Sequence, residues 1–203
     1  MALAEATAGP TVAEEDLLRA DLYDMLAALL SRAPDDDLLT MVSGLSGDEG
    51  SLGQGVTALA RLASQMQRPA ITNEFNTLFV GLTRGELLPY ASFYMTGFLH
   101  EKPLALLRND MMGLGLQRAP SVYEPEDNIA SLCEMMAALI RGRFGDPADL
   151  VTQRDFFNAH IAPWATHFFS DLEGAKASVF YAPVGTIGRA FIEIEREAFR
   201  MGA

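Results

Sequence analysis

The stretch Ser121–Ile140, SVYEPEDNIASLCEMMAALI, decides the fold class. It joins an acidic turn, Glu124-Pro125-Glu126-Asp127-Asn128, to the most clearly amphipathic segment of the chain. Ile129, Leu132, Cys133, Met136 and Ile140 fall at i, i+3, i+4, i+7 and i+11, the spacing of one buried helical face. Proline suits a first helical turn because its missing N–H would have no partner there, so Pro125 predicts the start, with Glu124 as N-cap. Glu126 and Asp127 then lie where the exposed N–H groups of a helix favour negative charge. A capping box from Ser121 to Glu124 gives an alternative start. Taken alone, the turn reads as readily as an ordinary solvated helix N-terminus.

Working outward, Leu17, Leu18, Leu22, Met25, Leu26, Leu29 and Leu30 repeat with helical spacing from Glu14 to Arg32, and Pro34 stops the run. Asp35–Val42 predicts a short second helix, and GLSGDEGSLGQG a flexible connection. That connection lacks the GxxxxGK[ST] pattern of a phosphate loop and carries negative charge. Val56–Gln67 and Ile71–Gly81 predict two more helices. Thr72 is a cap for the second, and Phe75, Leu78, Phe79 and Leu82 share its face. In LLPYASFYMTGF, Pro89 favours extended backbone at Leu88 and gathers Tyr90, Phe93 and Tyr94 at a non-helical opening. Ser92 has no GxSxG setting and is not read as a nucleophile.

Pro103–Asp110 predicts a further helix, after which Gly113, Gly115 and Pro120 mark 111–120 as a hinge. Asp146-Pro147 reads as an N-cap followed by the first helical residue. The helix it opens brings Gln153, Phe156, Phe157, His160 and Trp164 towards one face. A last helix, Thr186–Arg200, places Ile187, Phe191, Ile194 and Ala198 on a stripe. No segment alternates with period two between turn signals. The expected fold is therefore all-α, about nine or ten helices in two lobes, 14–110 and 121–203, joined by the hinge and preceded by a disordered tail over 1–13.

Composition narrows the function. The chain has 203 residues, 49% of them apolar, enough for a substantial core. Its 27 acidic against 15 basic residues, net −12, argue against nucleic acid and suit a basic partner. The N-terminus has no basic n-region followed by an apolar core, and no apolar run approaches the roughly 18 residues of a membrane span, so a cytoplasmic location is expected. Cys133, the single cysteine, falls on the apolar helix face and reads as a buried thiol. Metal binding lacks ligands: His100, His160 and His167 are the three histidines, and the last two would stand ~10 Å apart along a helix. The carboxylates at 124, 126 and 127 would allow acid–base chemistry, but no nucleophile, oxyanion site or cofactor motif accompanies them. Ten methionines supply adaptable apolar surface as well as core.

Four segments, in order along 71–164, resemble the TorD/DmsD/NarJ superfamily of molybdoenzyme maturation chaperones. They are Glu74-Phe75 with Leu78-Phe79 and Gly81; Pro89-Tyr90-Ala91-Ser92-Phe93-Tyr94; Glu124-Pro125-Glu126-Asp127-Asn128-Ile129; and Gln153, Phe156, His160 and Trp164. The resemblance implies a single TorD-like helical bundle without turnover or cofactor of its own. It implies binding to the twin-arginine signal peptide, the cofactor-free catalytic subunit of a molybdenum or tungsten oxidoreductase, or both, with cofactor insertion assisted and export delayed. The peptide-binding residues it implies are Tyr90, Ser92, Phe93, Tyr94, Glu124, Glu126, Asp127, Asn128, His160 and Trp164. A monomer and a domain-swapped dimer both fit. Many members have His where this chain has Asn128, which hydrogen-bonds but does not titrate. The alternative from another class is an acidic helical adaptor for a folded partner, with no part in cofactor loading.

Overall fold

A computed structural model of the protein describes residues 12–118 and 123–202. The chain is all-helical there, with no β-strand beyond one isolated bridge. The helices are α1 (Glu14–Ser31), α2 (Asp36–Ser43), α3 (Ser51–Gln65), α4 (Arg68–Phe75), α5 (Ala91–Thr96), α6 (Lys102–Gly113), α7 (Ile129–Arg141), α8 (Leu150–Phe156), α9 (Ala165–Gly174) and α10 (Tyr181–Met201). The α4 and α8 helices each run on into a π-helical turn, Asn76–Val80 and Phe157–Ile161. The expected tail over 1–13, for all but its last two residues, the end of the hinge and the Ser121 capping box lie outside the described residues.

The apolar face of α7 is buried as its spacing predicts: Ile129, Leu132, Cys133 and Met136 are fully inaccessible, and Ile140 nearly so. It packs chiefly on α1, while α3 and α9 pack on α10. Helices from the first half of the chain thus close on helices from the second. Met111, at the end of α6, and Leu116, just past it, also belong to the core.

Several boundaries differ from the sequence expectation, each for a local reason. The GLSGDEGSLGQG segment is a connection only as far as Gly50, since Ser51 already opens α3. Gly55 serves close packing there, because a Cβ would stand 2.9 Å from Ile187 on α10. A Cβ at Gly188 would lie 2.2 Å from the Phe169 ring, so α9 reaches α10 across a bare backbone. The α4 helix starts at Arg68 with Pro69 in its first turn, and Thr72 caps nothing. Beyond it, the π turn and Gly81 (φ 62°) swing Leu82 fully into solvent. Asp149 rather than Asp146 caps α8, its carboxylate accepting from the Thr152 N–H at 2.7 Å. The α10 helix begins at Tyr181, and its buried stripe runs through Ile187, Phe191, Glu195 and Phe199, leaving Ile194 and Ala198 exposed.

Candidate functional site

The signature around Tyr90 and the acidic turn, more than thirty residues apart in sequence, form one unit. Tyr90 and Asn128 make an antiparallel bridge. On either side of it the Ala91 N–H donates to the Asp127 carbonyl (2.9 Å) and the Ile129 N–H to the Pro89 carbonyl (2.9 Å). Two helices are capped from this ladder. Asn128 Oδ1 accepts from the Ala130 N–H (2.9 Å) and opens α7, while Asp127 Oδ2 accepts from the Ser92 N–H (2.7 Å) in the first turn of α5. Residues 124–127 therefore precede α7 instead of forming its first turn. The expected start at Pro125 gives way because Asn128 is a stronger N-cap than Glu124 and the acidic residues have other partners.

Those partners sort the expected site residues. Asp127 is 1% exposed and Ser92 fully buried; Asp127 Oδ1 and Ser92 Oγ find no hydrogen-bond partner among the described residues. Glu126 is buried against Arg108, whose Nε and Nη2 reach it at 3.0 and 2.8 Å, with Arg118 at 3.7 Å. Burial pushes its carboxyl up, but the arginines and a backbone hydrogen bond outweigh burial and hold it below the usual carboxylate range. Trp164 is 1% exposed and donates its indole N–H to the His160 carbonyl at 2.8 Å. Tyr94 stacks on Trp164 (5.3 Å) and donates to Asp171 (2.9 Å), so it is half-buried packing with a polar tip. His160, on the π turn after α8, lies 2.7 Å from Asp110; burial lowers its imidazole, and the Asp110 carboxylate only partly restores it. Phe93 is half-buried, with the Arg84 guanidinium over its ring.

Tyr90 and Glu124 remain at the surface, and they are bonded to each other. Burial, followed by the Glu124 contact, pushes the Tyr90 phenol well above its ordinary value, so it stays a donor. Both line a groove made of two neighbouring cavities, about 500 and 320 Å³, along α7, Glu124 bordering both and Tyr90 the smaller. Ser31, Glu124, Ser131 and Glu134 border both cavities. Asn128 opens on the smaller cavity, Glu126 on the larger. Desolvation and the neighbouring Asp24 carboxylate raise Glu134, Arg143 partly offsetting them. Sequence reasoning missed Glu134, because a lone glutamate on the polar side of an amphipathic helix looks like any solvated one.

Two buried clusters also escaped it. Glu195 on α10, 1% exposed, receives Arg19 Nε and Nη2 at 2.7 and 2.8 Å and the Tyr23 hydroxyl at 3.0 Å. Arg19 also donates to Gln153 (3.1 Å), which ties the fourth signature segment to α1. Glu74, 7% exposed, accepts the N–H groups of Val179, Phe180 and Tyr181 at 2.8, 3.1 and 2.8 Å and so caps α10 from α4. Among the described residues no group of three His, Cys, Asp or Glu side chains could hold a metal ion, and no helix is long and apolar enough to cross a membrane.

The family profile described as the nitrate reductase delta subunit matches residues 48–170. The chain belongs to that family. It is a TorD-like protein, a chaperone and not a catalyst. The chaperone protein TorD of Vibrio cholerae serotype O1 is 27% identical over 199 residues, covering 88% of this chain and 90% of the relative. TorD of Vibrio parahaemolyticus is 23% identical over 207 residues, covering 91% and 95%. A crystal structure assigned to a redox enzyme maturation protein from Archaeoglobus fulgidus superposes with a TM-score of 0.57 at 24% identity, over 87% of this chain and 94% of that one; it shares the TorD-like fold.

Asp127→Ala is expected to destabilise this TorD-like chain by about 1–2 kcal/mol, the worth of a helix N-cap, since it strips the α5 terminus of its acceptor. Urea denaturation checks it, and unchanged stability would place Asp127 outside the fold's framework.

Proposed function

We propose that this chain is a maturation chaperone for a molybdenum- or tungsten-containing oxidoreductase. On this reading it holds the twin-arginine leader, the cofactor-free catalytic subunit, or both, and delays export while cofactor insertion proceeds. Beyond the family, one observation supports the reading: the α7 groove presents Tyr90, Glu124 and Glu134 beside apolar walls. A leader that is basic at one end and apolar beyond it matches such a surface, with charge steering the encounter and apolar burial providing affinity. The signature residues Ser92, Asp127, Asn128, Glu126, His160 and Trp164 then act mainly by shaping and fixing the groove's surroundings. Tyr90, Glu124 and the half-buried Phe93 and Tyr94 remain for direct contact.

Tyr90→Ala should lower affinity for a leader peptide roughly tenfold while helical content stays unchanged, the loss expected for an aromatic anchor at an interface. Fluorescence anisotropy with the full chain reads the affinity, and circular dichroism the fold. In parallel, tagged protein recovered from its host's lysate should retain a redox-enzyme catalytic subunit. Recovery of folded proteins unrelated to redox enzymes, with no leader binding in vitro, would favour the adaptor instead.

A further inference from the structure

The smaller of the two groove cavities has an unbalanced lining. Glu124 and Glu134 border it, no lysine or arginine among the described residues does, and the walls include Leu30, Phe75 and Phe79. The larger cavity, which the same two glutamates also border, differs: Arg32, Arg118 and Arg143 line it together with Asp24 and Glu126, so most of its negative charge is offset on that side. The two carboxylates of the small cavity also differ from each other. Glu124 already accepts the Tyr90 hydroxyl. Glu134 makes no hydrogen bond or ion pair with any described residue, although partial desolvation and Asp24 disfavour its charge and Arg143, on the side of the larger cavity, offsets them only in part.

We propose that this 320 Å³ cavity is the seat of a single arginine side chain of the partner polypeptide, with Glu134 as the carboxylate that accepts its guanidinium. The inference rests on the leader-binding reading above and assigns a specificity-determining residue within it. Charge complementarity selects a cation, and the shape of the lining selects among cations. A guanidinium is planar, weakly hydrated and stacks on aromatic faces, so it fits between Glu134 and the Phe79 and Tyr90 rings, while its methylenes cover Leu30 and Phe75. An ammonium would keep more of its water and forgo both the fork and the stacking. Glu124, held by Tyr90, supplies the second negative charge without moving. The larger cavity, with charges of both signs, is left for the polar and apolar residues that flank that arginine.

The test uses the full chain and a labelled synthetic peptide carrying an Arg-Arg pair followed by a leucine- and phenylalanine-rich stretch, with a twin-lysine version as control. Glu134→Gln should weaken the twin-arginine peptide by roughly tenfold, the worth of one charge-assisted hydrogen-bonded pair. It should weaken the twin-lysine peptide much less, so that the preference for arginine shrinks. Glu134 makes no hydrogen bond or ion pair among the described residues, so the variant should melt close to the wild type, and Glu134→Asp should recover part of the affinity. Wild-type affinity and an undiminished arginine preference in Glu134→Gln, while Tyr90→Ala still loses binding, would overturn the assignment of Glu134 and leave the leader reading standing. If the folded wild type binds neither peptide, the leader reading itself fails and this inference with it.

Discussion

Replacing Arg19 by leucine is expected to cost about 3–5 kcal/mol of folding stability, because it leaves Glu195 charged and unpaired inside the protein. The wild-type carboxylate is held on both oxygens by the Arg19 fork and accepts the Tyr23 hydroxyl as well. With the guanidinium gone, one neutral hydroxyl remains to compensate a charge that is 1% exposed. The same substitution frees Gln153, which loses its donor across the α1–α8 contact. Urea denaturation of the single variant, of Glu195→Leu and of the double variant Arg19→Leu/Glu195→Leu separates the effects. The double variant should recover much of the loss, since a well-packed apolar pair replaces a buried ion pair at little net cost. A single variant within about 1 kcal/mol of wild type would mean that this pair behaves as a surface salt bridge, for which that range is usual.

Glu74→Ala carries the second large effect. Three backbone N–H groups at the start of α10 converge on its two oxygens, and two of the donor residues, Phe180 and Tyr181, are fully buried. Removing the acceptor leaves donors that water reaches poorly, at about 1–3 kcal/mol for each one left unpaired, so a loss of about 3 kcal/mol or more is expected. Glu74→Gln, whose single amide oxygen accepts where two stood before, should fall between. Amide hydrogen exchange at 179–181 locates the damage: it should quicken there well before global unfolding. Unaltered exchange at those amides in Glu74→Ala would show that α10 is capped by other means.

The sequence was most legible where one helix satisfies its own ends and its own face. Asp35 caps α2 three residues away, accepting from the Leu38 N–H at 3.0 Å, and the α7 stripe is continuous, so both elements follow from local spacing. It was least legible where a terminus or a face is completed from elsewhere. The α10 helix starts five residues before the expected Thr186 because its cap, Glu74, is supplied from α4. Its buried stripe follows the expected one through Ile187 and Phe191 and departs from it afterwards because it takes in a glutamate, whose partner Arg19 lies 176 residues earlier. Leu82 leaves the face that its spacing predicts because period-3.6 extrapolation does not foresee a π turn. The signature residues were found as types, but their division between framework and surface was not. Nothing in EPEDN says that Asp127 turns inward to α5 while Glu124 stays outside with Tyr90.

The pairing of α1 with α7, and of Arg19 with Glu195, also has a consequence for the birth of the chain. The α1 helix finds its main partner only after about a hundred further residues have been made, and its buried arginine finds its carboxylate 176 residues later. Until then Leu26, Leu29 and Leu30, all destined for the interior, have no surface to cover them. Contacts so distant in sequence are slow to close, and a nascent chain holding them open is exposed to aggregation. A member of a chaperone family therefore passes, during its own synthesis, through an interval in which it is itself vulnerable.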